Sequence, residues 1–239
     1  MIRLGLVGNG KMGRMIDSLC ERDDRFVTAG FVGPGDCDTL AQIGEIDAAI
    51  DFSYPGNLQM VLDTALESRL PLVIGTTGLS DAQGEAIRAA AKEIPIVWAN
   101  NFSTGVTVLC RLARMASQAL GEDFDIEIVE THHNQKADAP SGTAKALLAS
   151  VDPEGGYAVV NGREGRPGAR GREIGMHAVR GGTVAGEHSV HFFGQMEEIE
   201  LRHRADSREI FARGALRAAE FAVHAQPGLY NMEDVLFGA

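Results

Sequence analysis

Ile2-Arg-Leu-Gly-Leu-Val-Gly8-Asn9-Gly10-Lys11-Met12-Gly13 decides how the first half of this chain is read. Ile2–Val7 is a short apolar run of the kind a buried strand shows, and Met12–Cys20 carries a helical pattern. Between them stands Gly-x-Gly-x-x-Gly, in the strand-to-helix setting that a dinucleotide-binding turn requires. Gly8 allows the tight turn, Gly10 lets a pyrophosphate approach the backbone, and Gly13 lets the helix pack close on the strand. The three glycines alone are a weak signal; their place between strand and helix gives them weight.

The alternation continues outward from this turn. Phe26–Val32, Asp47–Asp51, Pro71–Ile74 and Ile94–Ala99 read as strands, with helices over Asn57–Glu67 and Asp81–Lys92. Ser80 is placed to cap the second of these. Strands separated by helices imply a parallel sheet wound by right-handed crossovers, with ligands at the carboxyl ends of its strands. The loops at 8–13, 52–55, 75–78 and 99–103 are therefore expected along one edge. The second strand ends in Val32-Gly33-Pro34-Gly35, without the acidic residue that commonly bonds ribose about 20 positions past the glycines. Asp36 and Asp38 come late, and no arginine stands at Gly33-Pro34-Gly35 to hold a phosphate, so both NADH and NADPH are expected to serve.

After the amphipathic run Thr104–Leu120 the organisation changes. Strand-like runs at 126–130, 157–160, 174–179, 188–193 and 197–203 follow with little helix between them, and 153–173 is rich in Gly, Pro and Arg. The fold expected is α/β: a Rossmann-type parallel-sheet domain plus a second, α+β domain on a mixed or antiparallel sheet. Glu209–Ala225 forms a last amphipathic helix.

The chemistry concentrates in Glu130-Thr-His132-His133-Asn-Gln-Lys136-Ala-Asp138-Ala-Pro140-Ser141-Gly142-Thr143-Ala144. Pro140 ends what precedes it, and Ser141-Gly142-Thr143 opens a helical pattern. Unpaired N–H groups at a helix start make an anion site. His132, His133 and Lys136 stand just upstream and can supply protons and positive charge. An exposed polar hinge with a capping serine is the plainer reading of each piece; their concentration in one segment favours a site.

The 239 residues, 44% hydrophobic and 23% charged, describe an ordinary globular chain with ample core. A net charge of −11 argues against general nucleic-acid binding, and no long apolar run suggests a membrane span or signal peptide. Arg163, Arg166, Arg170 and Arg172 read as a solvated or interface loop. Cys20, Cys37 and Cys110 fit reduced thiols. His188 and His191 face opposite sides of a strand, so no metal site is expected from them.

The run from His132 to Ala144 resembles the signature of the 4-hydroxy-tetrahydrodipicolinate (dihydrodipicolinate) reductase family, nicotinamide-dependent enzymes of lysine and diaminopimelate synthesis. Gly75-Thr76-Thr77-Gly78, Ala99-Asn100-Asn101-Phe102-Ser103, Arg172-Glu-Ile-Gly, Gly186-Glu-His and Phe211-Ala-Arg-Gly-Ala are similar too, so the likeness runs end to end. Asn100 departs from the family, where proline is common.

The resemblance implies hydride transfer from NADH or NADPH to 4-hydroxy-tetrahydrodipicolinate, or to its dehydrated form, giving tetrahydrodipicolinate. It makes His132 the proton donor or acceptor, Lys136 the second acid and His133 a carboxylate ligand, with Ser141, Gly142 and Thr143 cradling a carboxylate. Cofactor contacts are implied at Gly8, Asn9, Gly10, Lys11, Met12, Gly13, Phe52, Gly75, Thr76, Thr77, Ala99, Asn100, Asn101 and Phe102. No metal is needed. Residues 1–103, completed by 209–239, become the dinucleotide-binding domain, and 104–208 the domain for substrate binding and oligomerisation. A cytoplasmic homotetramer is implied, assembled through the second-domain sheets. A nicotinamide-sensing regulatory module would also explain the glycine turn, but it leaves the histidines, Lys136 and Ser-Gly-Thr idle. A dehydrogenase of another small dicarboxylate would differ only in substrate.

Overall fold

In the computed structural model, which describes residues 1–238, β1 (Ile2–Val7) enters a parallel sheet one strand in from its edge. The glycine turn follows it, then α1 (Lys11–Cys20), which buries Gly13, Ile16, Leu19 and Cys20 at helical spacing. The sheet continues through β2 (Phe26–Val32), β3 (Ala48–Asp51), β4 (Leu72–Ile74) and β5 (Pro95–Trp98). The connecting helices are α2 (Leu58–Ser68) and α3 (Asp81–Ala90). Ser80 caps α3 in a reciprocal box with Gln83, so the first-turn amides are satisfied where the sequence pattern placed the cap. Every residue of β3 and β4 is buried, as strands covered on both faces must be.

The chain from α4 (Thr104–Leu120) onward builds a second sheet. Its strands are β6 (Asp125–His132), β7 (Ala158–Val160), β8 (Glu173–Arg180), β9 (Gly186–Phe193) and β10 (Glu198–Ala205). They lie in the order β10-β9-β6-β8-β7, antiparallel between β10, β9 and β6 and parallel between β6, β8 and β7. One helix, α5 (Gly142–Val151), sits between β6 and β7 in sequence. Ile126, Ile128, Ile174, Met176, Val190 and Phe192 cluster in one core with Leu109, Ala113, Leu147 and Val151 of the helices. The period of two along β6 puts Glu130 and His132 on the same face as that core.

The last segment returns to the first sheet. Helix α6 (Glu209–His224) buries Ala212, Ala215, Leu216, Ala218, Ala219 and Ala222 against Leu4, Ile50, Val73 and Val97. Two elements beyond it, β11 (Gly228–Tyr230) and α7 (Met232–Phe237), lack a sequence expectation. Strand β11 pairs in parallel with β5 and completes the order β11-β5-β4-β3-β1-β2. Its three residues are too short to show a period. The chain thus divides into two compact units, Met1–Thr104 with the segment from Glu209, and Gly105–Arg208.

Candidate active site

The direction of the strand order reverses at β1, between β3 and β2, and the glycine turn lies at that switch point. Gly8 has φ +97°, and a Cβ there would stand 2.7 Å from the Phe52 carbonyl oxygen. A Cβ on Gly13 would stand 2.0 Å from the Gly8 carbonyl oxygen, so helix and turn touch backbone to backbone. Around Gly10 a Cβ would meet nothing within 4 Å. The first helical bond runs from Arg14 N–H to the Gly10 carbonyl, which leaves the amides of Lys11, Met12 and Gly13 without an intrahelical acceptor. Open space before a row of amides fits a pyrophosphate.

The other loops meet this turn. The Phe52 ring stands edge-on to Phe102, with centroids 5.4 Å apart, and fills the space a side chain at Gly75 would need. Ser53 N–H donates to Thr76 Oγ1 at 3.0 Å, and Ala99 N–H to the Ile74 carbonyl at 3.2 Å. Asn101 Oδ1 accepts from Ser103 N–H at 2.8 Å, while Thr77 and Asn100 are exposed. Asp51, which the sequence reading passed over, is buried at the end of β3; burial raises its pKa, against hydrogen bonds from Ser53 and Thr76.

In the second unit one carboxylate gathers the chemistry. Glu130 is 0% exposed, yet its two oxygens receive donors from three elements. Arg180, at the end of β8, grips it with two hydrogen bonds of 3.0 and 2.9 Å. Ser141 N–H donates to Oε1 at 3.1 Å, and His132 Nδ1 lies in close hydrogen-bond contact with Oε2. Ser141 Oγ accepts from Ala144 N–H at 3.1 Å, which caps α5, and lies 3.1 Å from His188 Nε2. The His188 and His132 rings stand edge to face at 5.0 Å. His133 leaves β6 with its N–H on the Val184 carbonyl, and Lys136 Nζ donates to Asp138 Oδ1 at 2.7 Å.

Burial pushes the Glu130 pKa up, but the hydrogen bonds from Arg180, His132 and Ser141 outweigh it and keep the carboxyl below its ordinary value. Burial lowers the His132 pKa, against the pull of Glu130. His188, 4% exposed, is pushed down to about 4 by burial and then by the neighbouring His132 charge. Burial thus disfavours the charged form of both imidazoles, and an anion arriving beside His132 would favour its charged form.

Glu130, His132 and His188 have donor atoms within 4.8 Å of one another, a spacing that a metal ion could use. The chemistry of the set argues otherwise, because the Arg180 guanidinium already occupies both Glu130 oxygens. His191 points away from His188, toward Ser189 Oγ and Glu198. Glu130, Arg180 and His188 carried no role in the sequence reading. Alternation along β6 could have paired Glu130 with His132, but Arg180 and His188 reach the site only through strand order.

A parallel sheet with a glycine turn at its switch point defines the class: dinucleotide-binding α/β proteins, among them the nicotinamide-dependent oxidoreductases. Models of the family described as "Dihydrodipicolinate reductase, N-terminus" and "Dihydrodipicolinate reductase, C-terminus" match residues 2–102 and 105–236. The chain belongs to the dihydrodipicolinate reductase family, NADH- or NADPH-dependent enzymes that reduce 4-hydroxy-tetrahydrodipicolinate in lysine and diaminopimelate synthesis. It is 45% identical to the 4-hydroxy-tetrahydrodipicolinate reductase of Rubrobacter xylanophilus, over 99% of this chain and 98% of that protein. With the reductase of the same name from Alkalilimnicola ehrlichii the identity is 44%, over 98% of each. A dihydrodipicolinate reductase from Paenisporosarcina sp. TG-14, solved with dipicolinate bound, shares the fold. Its TM-score is 0.82 at 24% identity, over 99% of this chain and 100% of that one. Membership in an enzyme family sets aside the sensing-module alternative.

Proposed function

We propose that His132 exchanges the proton of this reduction and that Ser141, Gly142 and Thr143 hold a substrate carboxylate. The observation that carries this is the Glu130 carboxylate, which receives the imidazole and the Ser141 N–H together. In the overall reaction the hydroxy acid loses water, and the conjugated acid gains a hydride and a proton. A reduced nicotinamide, when bound, supplies the hydride. The amides of Lys11, Met12 and Gly13 would hold its pyrophosphate, and the loops at Phe52, Gly75–Thr77 and Ala99–Phe102 would flank its remainder.

The chain's own groups manage the dianion and the proton. The N-terminus of α5 offers amides and the Thr143 hydroxyl to one carboxylate. His133 and Lys136 add positive charge, with Lys136 drawn from Asp138 toward the incoming anion. Binding of that anion raises the His132 pKa, which readies the imidazole as an acid at the moment it is needed.

The outer face of the second sheet fits assembly of identical chains into a tetramer. There Glu127 gathers Arg163, Arg170 and His177, so the arginine loop lies on this face. The cytoplasm suits such an enzyme; among the described residues no helix is long and apolar enough to cross a membrane.

The test is loss of absorbance at 340 nm when the protein meets reduced cofactor and freshly generated 4-hydroxy-tetrahydrodipicolinate. The reading expects rapid loss with this substrate and none with other small dicarboxylates or keto acids. Turnover confined to one of those others would move the protein to a different dehydrogenation.

A further inference from the structure

Resting on the proton role of His132, we infer that Glu130 is its positioning residue. The carboxylate holds His132 with hydrogen on Nδ1, leaves Nε2 to meet the substrate, and ties that imidazole to the carboxylate-binding turn at Ser141.

The argument is one of donors and acceptors. The Arg180 guanidinium and the Ser141 amide can only donate, and three of their hydrogen bonds already enter Glu130. A carboxylate so surrounded is ionised and has only acceptor capacity to offer His132. Nδ1, in close contact with Oε2, must therefore carry the hydrogen. That leaves Nε2 as the atom that takes or gives the exchanged proton.

Two further features fit. A Cβ on residue 186 would stand 3.1 Å from His132 Nε2, so glycine there keeps the working edge of the ring uncrowded. Arg180 also donates to the Asp138 carbonyl at 2.7 Å, which fastens the His133–Pro140 loop to the same carboxylate. The charged and titratable groups facing His132 are Glu130 on its own strand, Arg180 on β8, His188 on β9 and Lys136 in the loop; His203 on β10 faces His188 from beyond. Glu130 is the one anion among them, so its removal has a defined sign.

The tautomer is read directly from long-range ¹H–¹⁵N spectra of the histidine-labelled wild-type protein, with His132 assigned by its loss in His132→Gln. The expected spectrum shows neutral His132 protonated at Nδ1. A ring protonated at Nε2 instead overturns the inference, and this reading needs no turnover, so it is independent of whether the reaction assigned above is correct. Glu130→Gln supplies the second arm. It should lower kcat at least tenfold and move the His132 limb of the pH profile to lower pH by about one unit. Binding of reduced cofactor should stay unchanged. A fall in kcat with an unmoved limb would mean a structural role only. If Glu130→Gln does not fold, the wild-type tautomer decides.

Discussion

Asn9 Nδ2 donates to Asp36 Oδ2 at 2.8 Å and to the Pro34 carbonyl at 2.9 Å. The side chain of the glycine turn thus fastens the carboxylate that follows β2, although Asp36 lies beyond Gly33-Pro34-Gly35. With no acid or arginine at Gly33-Pro34-Gly35 the two cofactors are expected within about tenfold of each other unless Asp36 folds back to the ribose, and this hydrogen bond holds Asp36 beside the turn. An anion there repels the 2′-phosphate of NADPH and can accept from ribose hydroxyls. The wild type is expected to favour NADH by more than about tenfold in kcat/KM, or roughly 1.4 kcal/mol. Asp36→Asn should bring the two within about threefold, and an unchanged ratio in that variant would clear Asp36 of the role.

Lys136 lies in an ion pair with Asp138 that only the lysine end buries substantially. Lys136→Ala should raise the substrate KM and lower kcat together, since an ammonium beside a dianion both binds and stabilises developing charge. Asp138→Asn should change KM only a few-fold, because exposed pairs contribute about 1 kcal/mol at most. Steady-state kinetics of both variants separate these outcomes; a large loss in Asp138→Asn with little in Lys136→Ala would reverse the assignment.

Thr143 stands in the first turn of α5, next to the Ser141 cap. Thr143→Val keeps the shape and removes the hydroxyl. Inhibition by pyridine-2,6-dicarboxylate should weaken by about 1.5–3 kcal/mol, the usual cost of one hydrogen bond to a charged group. An unaltered inhibition constant would place the carboxylate elsewhere.

His188 gives a prediction about stability. Its folded pKa, about 4, lies below the ordinary histidine value of about 6.5, so between these values the unfolded chain binds more protons. Stability therefore falls as the pH drops through this window, by up to about 3 kcal/mol from this group alone. His132 and His203 shift the same way, whereas Glu127 and Glu130 are lowered carboxylates whose loss comes at more acid pH. Urea midpoints at pH 7 and pH 5 should differ clearly in wild type and less in His188→Gln. Equal differences in the two proteins would mean that His188 is not the group concerned.

Much of this was legible before the fold was seen. The glycine turn, the alternation of strands with helices and the change of pattern after Leu120 are local signals, and the mixed second sheet follows from them. The histidines, Lys136 and Ser141 stand close in sequence, so their cluster could be found without tertiary knowledge. Arg180 and His188 could not, because each comes to Glu130 from a neighbouring strand 50 or more positions away. Strand β11 escaped for a different reason: three residues carry too little pattern, and its partner β5 is far back in the chain.

The account rests most on His132, and steady-state turnover of His132→Gln tests it most directly. Glutamine has similar reach and can neither accept nor donate the exchanged proton at neutral pH. The expected result is a fall in kcat of roughly 10²- to 10⁴-fold, the usual contribution of a positioned acid. The affinity for reduced cofactor, measured by titration, should be nearly unchanged. Turnover within a few-fold of wild type would contradict the assignment and move proton transfer to another group.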